Sequence, residues 1–126
     1  MEGKVTTVAL HFRSWLWFEK NSNKFVGRAG LRVLELESEK VIEVGYVLMP
    51  DFWNKGFATE MAAASVEVGF EVIKLKELVC FTSTTNKASQ KVMEKVGFKY
   101  ERNFIYLDEE HRLYRLSADA YQKYSY

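Results

Sequence analysis

The sequence predicts an α/β fold: a mixed, mostly antiparallel sheet with two long crossover helices, in the order β-β-β-α-β-α-β-β. Three observations carry that prediction. Apolar residues fill 48% of the 126 positions and aromatics 15%, ample material for a buried core. The early stretches alternate apolar and polar residues at the period of a strand, and two later ones repeat at the three- and four-residue steps of a helix. Short polar turns between the early stretches favour hairpins. No repeat, low-complexity tract or Pro/Gly/Ser linker divides residues 1–126, so they read as one domain.

Trp15–Phe18 and Phe25–Leu34 read as strands of a hairpin, joined by the polar run Glu19–Lys24. A second hairpin turns at Glu37-Ser38-Glu39-Lys40 and returns through Val41–Leu48. On that return Ile42, Val44 and Tyr46 share one face, and Glu43, Gly45 and Val47 share the other. Pro50 is the only proline, and it ends the ladder because it has no N–H to donate. A helix is predicted over Gly56–Ile73, with Ala58, Met61, Ala62, Val66, Phe70 and Ile73 along one stripe. Glu77–Thr82 is a short apolar strand of the kind buried in a sheet. Thr85-Asn86 offers the N-cap of a second helix, along which Ala88, Val92 and Val96 repeat. Lys95 and Gly97 stop it. Phe98–Leu107 and Arg112–Leu116 are the last strands, turning at Asp108–His111. Ser117–Tyr126 reads as one helical turn and then a frayed end.

Charge and residue counts exclude several classes. Lys plus Arg is 18 and Asp plus Glu is 17, so the net charge is +1. Such a balance argues against a nucleic-acid partner, which normally calls for a clustered basic excess. No apolar run approaches the roughly 20 residues that span a bilayer. Met1–Thr7 has no apolar stretch of signal-peptide length, and the expected location is the cytoplasm. Cys80 is the single cysteine, lies in an apolar strand and reads as a small core residue. His11 and His111 are far apart and no Cys/His cluster has zinc spacing, so no metal is expected.

Chemistry concentrates in two segments. Met49-Pro50-Asp51-Phe52-Trp53-Asn54-Lys55-Gly56-Phe57-Ala58-Thr59-Glu60 runs from a strand end through a glycine loop straight into a helix. A helix N-terminus presents unsatisfied N–H groups and the positive end of the macrodipole, so it suits a phosphate. A tight strand-to-helix turn is the structural alternative for Gly56 and Ala58. The loop matches neither the Walker A motif nor the dinucleotide fingerprint, which need more glycines. Thr82–Phe98 likewise follows a strand and opens a helix, so both helix N-termini should lie at one edge of the sheet, where ligands of α/β sheets bind. Asn86 and Ser89 could bond a ligand there or simply cap the helix, a role that suits Thr85 better.

Together these segments resemble the GNAT superfamily of N-acetyltransferases, and within it the branch of the ribosomal-protein-alanine N-acetyltransferases. Phe52-Trp53-Asn54-Lys55-Gly56-Phe57-Ala58-Thr59-Glu60 is similar to that branch's aromatic-Trp-x-Lys-Gly-aromatic-Ala-Thr-Glu signature. Asn86-Lys87-Ala88-Ser89 with Glu94-Lys95-Val96-Gly97-Phe98 is similar to its Asn-x-x-Ser … Glu-Lys-x-Gly-Phe signature. Phe25–Leu31 and Glu43-Val44-Gly45-Tyr46 match its central strands. The resemblance covers Trp15–Leu116. It implies acetyl-coenzyme A as co-substrate and an amine as acceptor, attacking directly. It implies that Val47, Leu48 and Met49 offer backbone groups to the pantetheine. Trp53, Asn54, Lys55, Gly56, Phe57, Ala58 and Thr59 would hold the pyrophosphate, and Asn86 and Ser89 would meet the arm near the thioester. Glu43 stands in the family's usual base position; as a residue of a half-exposed strand, it reads equally well as a surface carboxylate. The sheet is expected to split between Val41–Leu48 and Glu77–Thr82, leaving a slot for the pantetheine.

The sequence departs from the family in three places. Trp53 stands where the wider superfamily often has Gln or Arg, a change that the branch shares. Met93 replaces a tyrosine that often serves as general acid, which leaves Ser89 or water to protonate the leaving thiolate. Family members begin with a strand and two helices before the segment that matches Trp15, and here only fourteen residues precede it. Those helices form one wall of the acceptor site, so the chain reads as N-terminally truncated, and a non-catalytic module that binds acyl-coenzyme A or a protein partner is the rival class. Without them Trp15, Trp17, Phe25, Leu31 and Val33 would meet water, which predicts a homodimer. Val5–Phe12 is apolar enough to add as a strand, across a two-fold axis or within its own chain, where it would leave a monomer.

Overall fold

Two-residue turns fix the register of both long hairpins in the computed structural model, which describes residues 3–11 and 13–125. The strands are β1 (Val5–His11), β2 (Ser14–Glu19), β3 (Phe25–Leu36), β4 (Glu39–Leu48), β5 (Glu77–Ser83), β6 (Lys99–Tyr106) and β7 (Glu109–Ser117). They form one seven-stranded sheet in the order β1-β2-β3-β4-β5-β7-β6. Every pairing is antiparallel except β4 with β5. The turn between β3 and β4 is Glu37-Ser38 alone, tighter than the four residues expected, and both take left-handed φ angles of 48° and 71°. Leu107-Asp108 repeats this between β6 and β7, with φ of 50° and 64°. Two-residue hairpins need φ > 0 because only that backbone twist matches the strands.

The helices are α1 (Phe57–Glu67) and α2 (Lys87–Val96). Gly56 is the N-cap of α1, and the predicted single helix to Ile73 passes instead into a π-helical turn over Val68–Val72. In that turn a Cβ on Gly69 would stand 2.9 Å from Leu78 Cδ1, so the backbone packs directly on β5. Leu31, Val44, Ala62, Val66, Leu78, Met93 and Tyr114 belong to one core that joins both helices to the middle of the sheet. Cys80 is buried in it as expected. The C-terminal segment is anchored rather than frayed: Tyr121 lies 4.9 Å from Phe70, ring to ring, and its hydroxyl donates to Glu71. Tyr126, at the end of that segment, lies outside the described residues. No helix among the described residues is long and apolar enough to cross a membrane.

Val5–His11 pairs antiparallel with β2 of the same chain, and Phe12, the end of the predicted segment, lies outside the described residues. This corrects the exposure expected of the early strands. Trp17 is buried with Val5, Val26, Ala29, Phe52, Phe57 and Met61, and Leu31 is buried under the helices. Helix α1 and β1 supply the cover; Val33 and Phe25 alone of that group stay well exposed.

The predicted split is present. β4 and β5 meet at a single backbone pair, Glu43 with Val79, and separate beyond it. Both lead into helices at the same edge, so the slot opens between the N-termini of α1 and α2.

Candidate active site

The register determines which groups face the slot. Gly27 lies opposite Leu48, and the Met49 N–H donates to Val26 O at 2.8 Å. Antiparallel ladders bond alternate pairs, so Val47 turns its backbone groups to β3 while Tyr46 and Leu48 turn theirs toward the slot; Met49 gives its N–H to β3 and its carbonyl accepts from Phe52 N at 2.9 Å. Of the expected strand-end trio, Leu48 therefore presents its backbone there. Its carbonyl accepts from Trp53 Nε1 at 3.0 Å, which holds that indole at the mouth of the cleft.

The cleft has a volume of about 1180 Å³. Glu43, Val47, Leu48, Trp53, Asn54 and Gly56 line it from the β4–α1 side, with Ala58 and Thr59 on the first turn of the helix. Asn86 and Ser89 line it from α2. Met49, Lys55 and Phe57 do not line it. Phe57 packs edge-on against Phe52 in the core, 5.1 Å between ring centres, and the Lys55 carbonyl accepts from Lys4 Nζ at 2.6 Å.

The loop from β4 into α1 turns through two left-handed residues. Asn54 and Gly56 both take left-handed φ, 60° and 86°. The backbone thereby turns into α1 with its first N–H groups free of intrahelical partners. Lys4 braces this turn: its ammonium lies over the Phe57 ring at 4.9 Å, and its backbone N–H donates to both oxygens of buried Glu60 at 3.0 Å. Glu60 sits in the signature motif without any role visible in sequence, because its partner lies 56 positions away.

Across the slot, Tyr46 reaches from β4 to α2, and its hydroxyl shares a 2.8 Å hydrogen bond with Ser89 Oγ. Burial pushes the phenol well above its ordinary value, outweighing the opposing Ser89 bond, so it stays protonated at working pH. Tyr46 is a functional candidate that sequence reasoning missed; its place on the face of Ile42 and Val44, two residues short of the strand end, was the available signal. Asn86, not Thr85, is the N-cap of α2, its Oδ1 accepting from Ser89 N at 3.1 Å. Thr85 instead shares a 3.1 Å bond with Ser83. Met93, where a tyrosine acid often stands, is buried in the core.

Glu43 is only 5% exposed, so it is no surface carboxylate. Its Oε1 accepts from Arg32 Nε at 2.5 Å, the residue directly opposite on β3. Burial raises its pKa and the guanidinium lowers it in part, leaving it above the usual carboxylate value. A Cβ on Gly45 would meet only Glu43 within 4 Å, which leaves open floor beside the carboxylate. Among the described residues no group of three His, Cys, Asp or Glu side chains could hold a metal.

Residues 5–99 match the family model described as an acetyltransferase (GNAT) domain. The chain belongs to the GNAT acetyltransferase family. It is 31% identical over 88 residues to an uncharacterized protein, YkkB, of Bacillus subtilis (strain 168), covering 70% of this chain and 51% of that protein. An uncharacterized N-acetyltransferase of the same organism, YoaA, is 28% identical over 95 residues, 73% of this chain and 53% of its own length. The chain thus spans about half the length of the curated relatives it matches. Among solved structures, a GNAT-family acetyltransferase from Bacillus anthracis superposes with a TM-score of 0.73 at 26% identity, over 85% of this chain and 67% of that one. GNAT acetyltransferases use acetyl-coenzyme A, and this chain's split sheet, open Gly45 floor and left-handed β4–α1 loop fit that group.

Proposed function

We propose that the chain is an N-acetyltransferase of the cytoplasm that moves an acetyl group from acetyl-coenzyme A to a primary amine, of a protein N-terminus or a small molecule. The observation that carries this reading is the slot: a sheet opened beside one bridge, ending on a helix N-terminus and flanked by a buried carboxylate. Acetyl-coenzyme A supplies the acetyl thioester, which the amine attacks directly with no covalent bond to the protein. Gly56, Ala58 and Thr59 would hold the pyrophosphate on the N-terminus of α1, with Lys4 and Glu60 bracing the loop. The Leu48 N–H would donate to the thioester oxygen. Glu43 would take the amine proton, directly or through water. Arg32 partly offsets the effect of burial on that carboxylate. Ser89, held by the Tyr46 hydroxyl, would relay a proton from water to the leaving thiolate, while Glu43 releases the amine proton to solvent. The two quoted signatures support the ribosomal-protein-alanine branch. A second reading, acyl-coenzyme A binding without transfer, is favoured by the buried Met93.

Glu43→Gln is expected to lower turnover by about 10²–10⁴, the usual contribution of a general base. The same variant separates base from scaffold. Because the folded-state pKa is raised, the stability that Glu43 contributes is present below the unfolded carboxylate range and lost as pH rises through the folded value. Removing the charge should therefore hold or raise the melting temperature at pH 7–8 while turnover falls. Full turnover with an unchanged acidic limb in the pH–rate profile would overturn the assignment.

Val5–His11 folds back on its own chain, the arrangement expected to leave a monomer, so a homodimer rests instead on the outer edge of β1. That strand ends the sheet, and Val8 and Leu10 on it are exposed. Unpaired strand edges of this kind template pairing with another chain. Sedimentation equilibrium at micromolar concentration should show association, and a 14.7 kDa species that never associates would exclude it.

A further inference from the structure

The charge of the cleft is far from that of the chain. Arg28, Arg32, Lys87, Lys91 and Lys95 line it, against Glu43 as its one carboxylate among the described residues, although the whole sequence is +1. The lysines belong to α2. The arginines stand elsewhere, on the opposite face of the sheet from the helices, in register with the base: Arg32 opposite Glu43, Gly30 opposite Gly45, Arg28 opposite Val47. Alternation puts all six on one face. Gly45 leaves open space beside Glu43, while the backbone of Arg13 and Ser14 fills the space above Gly30, so the opening between the two guanidiniums lies on the β4 side. Arg32 is committed to Glu43. Arg28 is exposed, and no ion pair among the described residues engages it.

We infer that the acceptor is an amine carrying its own oxyanion, a carboxylate or a phosphate, which Arg28 receives while the amine lies over Gly45 beside Glu43. This rests on the acetyltransferase reading and names its substrate class. Arg28 is two strand positions from Gly30, the residue opposite Gly45, so its Cα lies roughly 7 Å along the strands from the open Gly45 floor, at about 3.3 Å per residue. An oxyanion some 5–7 Å from the amine would span that interval within the reach of the side chain. Arginine suits the task, since its planar fork matches carboxylate and phosphate geometry. The same cations reject the opposite class. An acceptor with a second ammonium would place it against the Arg28 guanidinium, cation on cation.

The test is calorimetry on the full chain, with and without saturating coenzyme A, using γ-aminobutyrate against γ-aminobutyramide, O-phosphoethanolamine against ethanolamine, and putrescine. The anionic member of at least one pair should bind at least about tenfold more tightly than its neutral twin, as a charge-assisted hydrogen bond allows. Which pair shows the larger ratio distinguishes carboxylate from phosphate. Arg28→Gln should bring that ratio close to one, and Arg28→Lys should keep part of it. Equal affinities within both pairs, tighter binding of putrescine, or no measurable binding of either anionic amine at millimolar concentration would overturn the inference. Failure of coenzyme A itself to bind would instead overturn the acetyltransferase reading, and the amine ratios would then be decided on the unliganded protein.

Discussion

Gly56→Glu is expected to abolish measurable coenzyme A binding. Gly56 caps α1 in the left-handed region, at φ 86° and ψ −2°, where a side chain is strained whatever space surrounds it. A glutamate there would also bring its own carboxylate to the N–H groups proposed to hold the pyrophosphate, within reach of Lys4, whose Nζ lies 3.5 Å from where the Cβ would stand. Charge-assisted N–H bonds are worth roughly 1.5–3 kcal/mol each, so losing two of them weakens binding by at least about a hundredfold. Gly56→Ala separates strain from charge: it carries the backbone penalty of roughly 1–3 kcal/mol without competing for the anion site. Titration calorimetry that finds the glutamate variant binding like the parent would refute the placement of the pyrophosphate.

Trp17→Ala is expected to remove about 3–5 kcal/mol of stability, the usual range for a buried aromatic truncated to alanine. The indole is 1% exposed, packs with Val5, Phe52, Phe57 and Met61, and donates from Nε1 to the Ala29 carbonyl at 3.3 Å. Against a typical net stability of about 5–15 kcal/mol, that loss brings the fold near its limit. Val8→Ala on the exposed side of β1 should stay within about 0.5 kcal/mol. Denaturant midpoints of the two variants compare them directly. A loss below about 1 kcal/mol for Trp17→Ala would mean that β1 does not close over this cluster.

Local features were legible in the sequence and relational ones were not. Alternation along Val41–Leu48 assigned both faces of β4, because period two follows from the pleat alone. Gly56 and Gly97 marked the start of α1 and the end of α2, since each occupies a left-handed position. The two-residue turns stayed hidden because Glu37, Ser38, Leu107 and Asp108 adopt left-handed angles without a glycine among them. Missing that turn meant missing Arg32: only once the loop is known to be Glu37-Ser38 does the register put Arg32 opposite Glu43. The π-helical turn preserved the apolar stripe closely enough that Phe70 read as ordinary helix. Tyr46 with Ser89 and Lys4 with Glu60 join residues 43 and 56 positions apart, so no local pattern encodes them. The fate of Val5–His11 was open for the same reason, because its pairing depends on a surface that other elements build.

The lone bridge between β4 and β5 makes the molecule two half-sheets sharing one seam. Past Glu43 and Val79 the backbone groups of Tyr46 and Leu48 have no neighbouring strand, so that margin is a sheet edge turned inward. The pantetheine arm carries two amides spaced along an extended chain, and lying there it would act by β-augmentation, an added strand contributed by a small molecule. Binding would then close a ladder as well as fill a site. Amide hydrogen exchange at Tyr46 and Leu48 should slow together in the complex, and the two half-sheets should lose their independence and unfold as one cooperative unit.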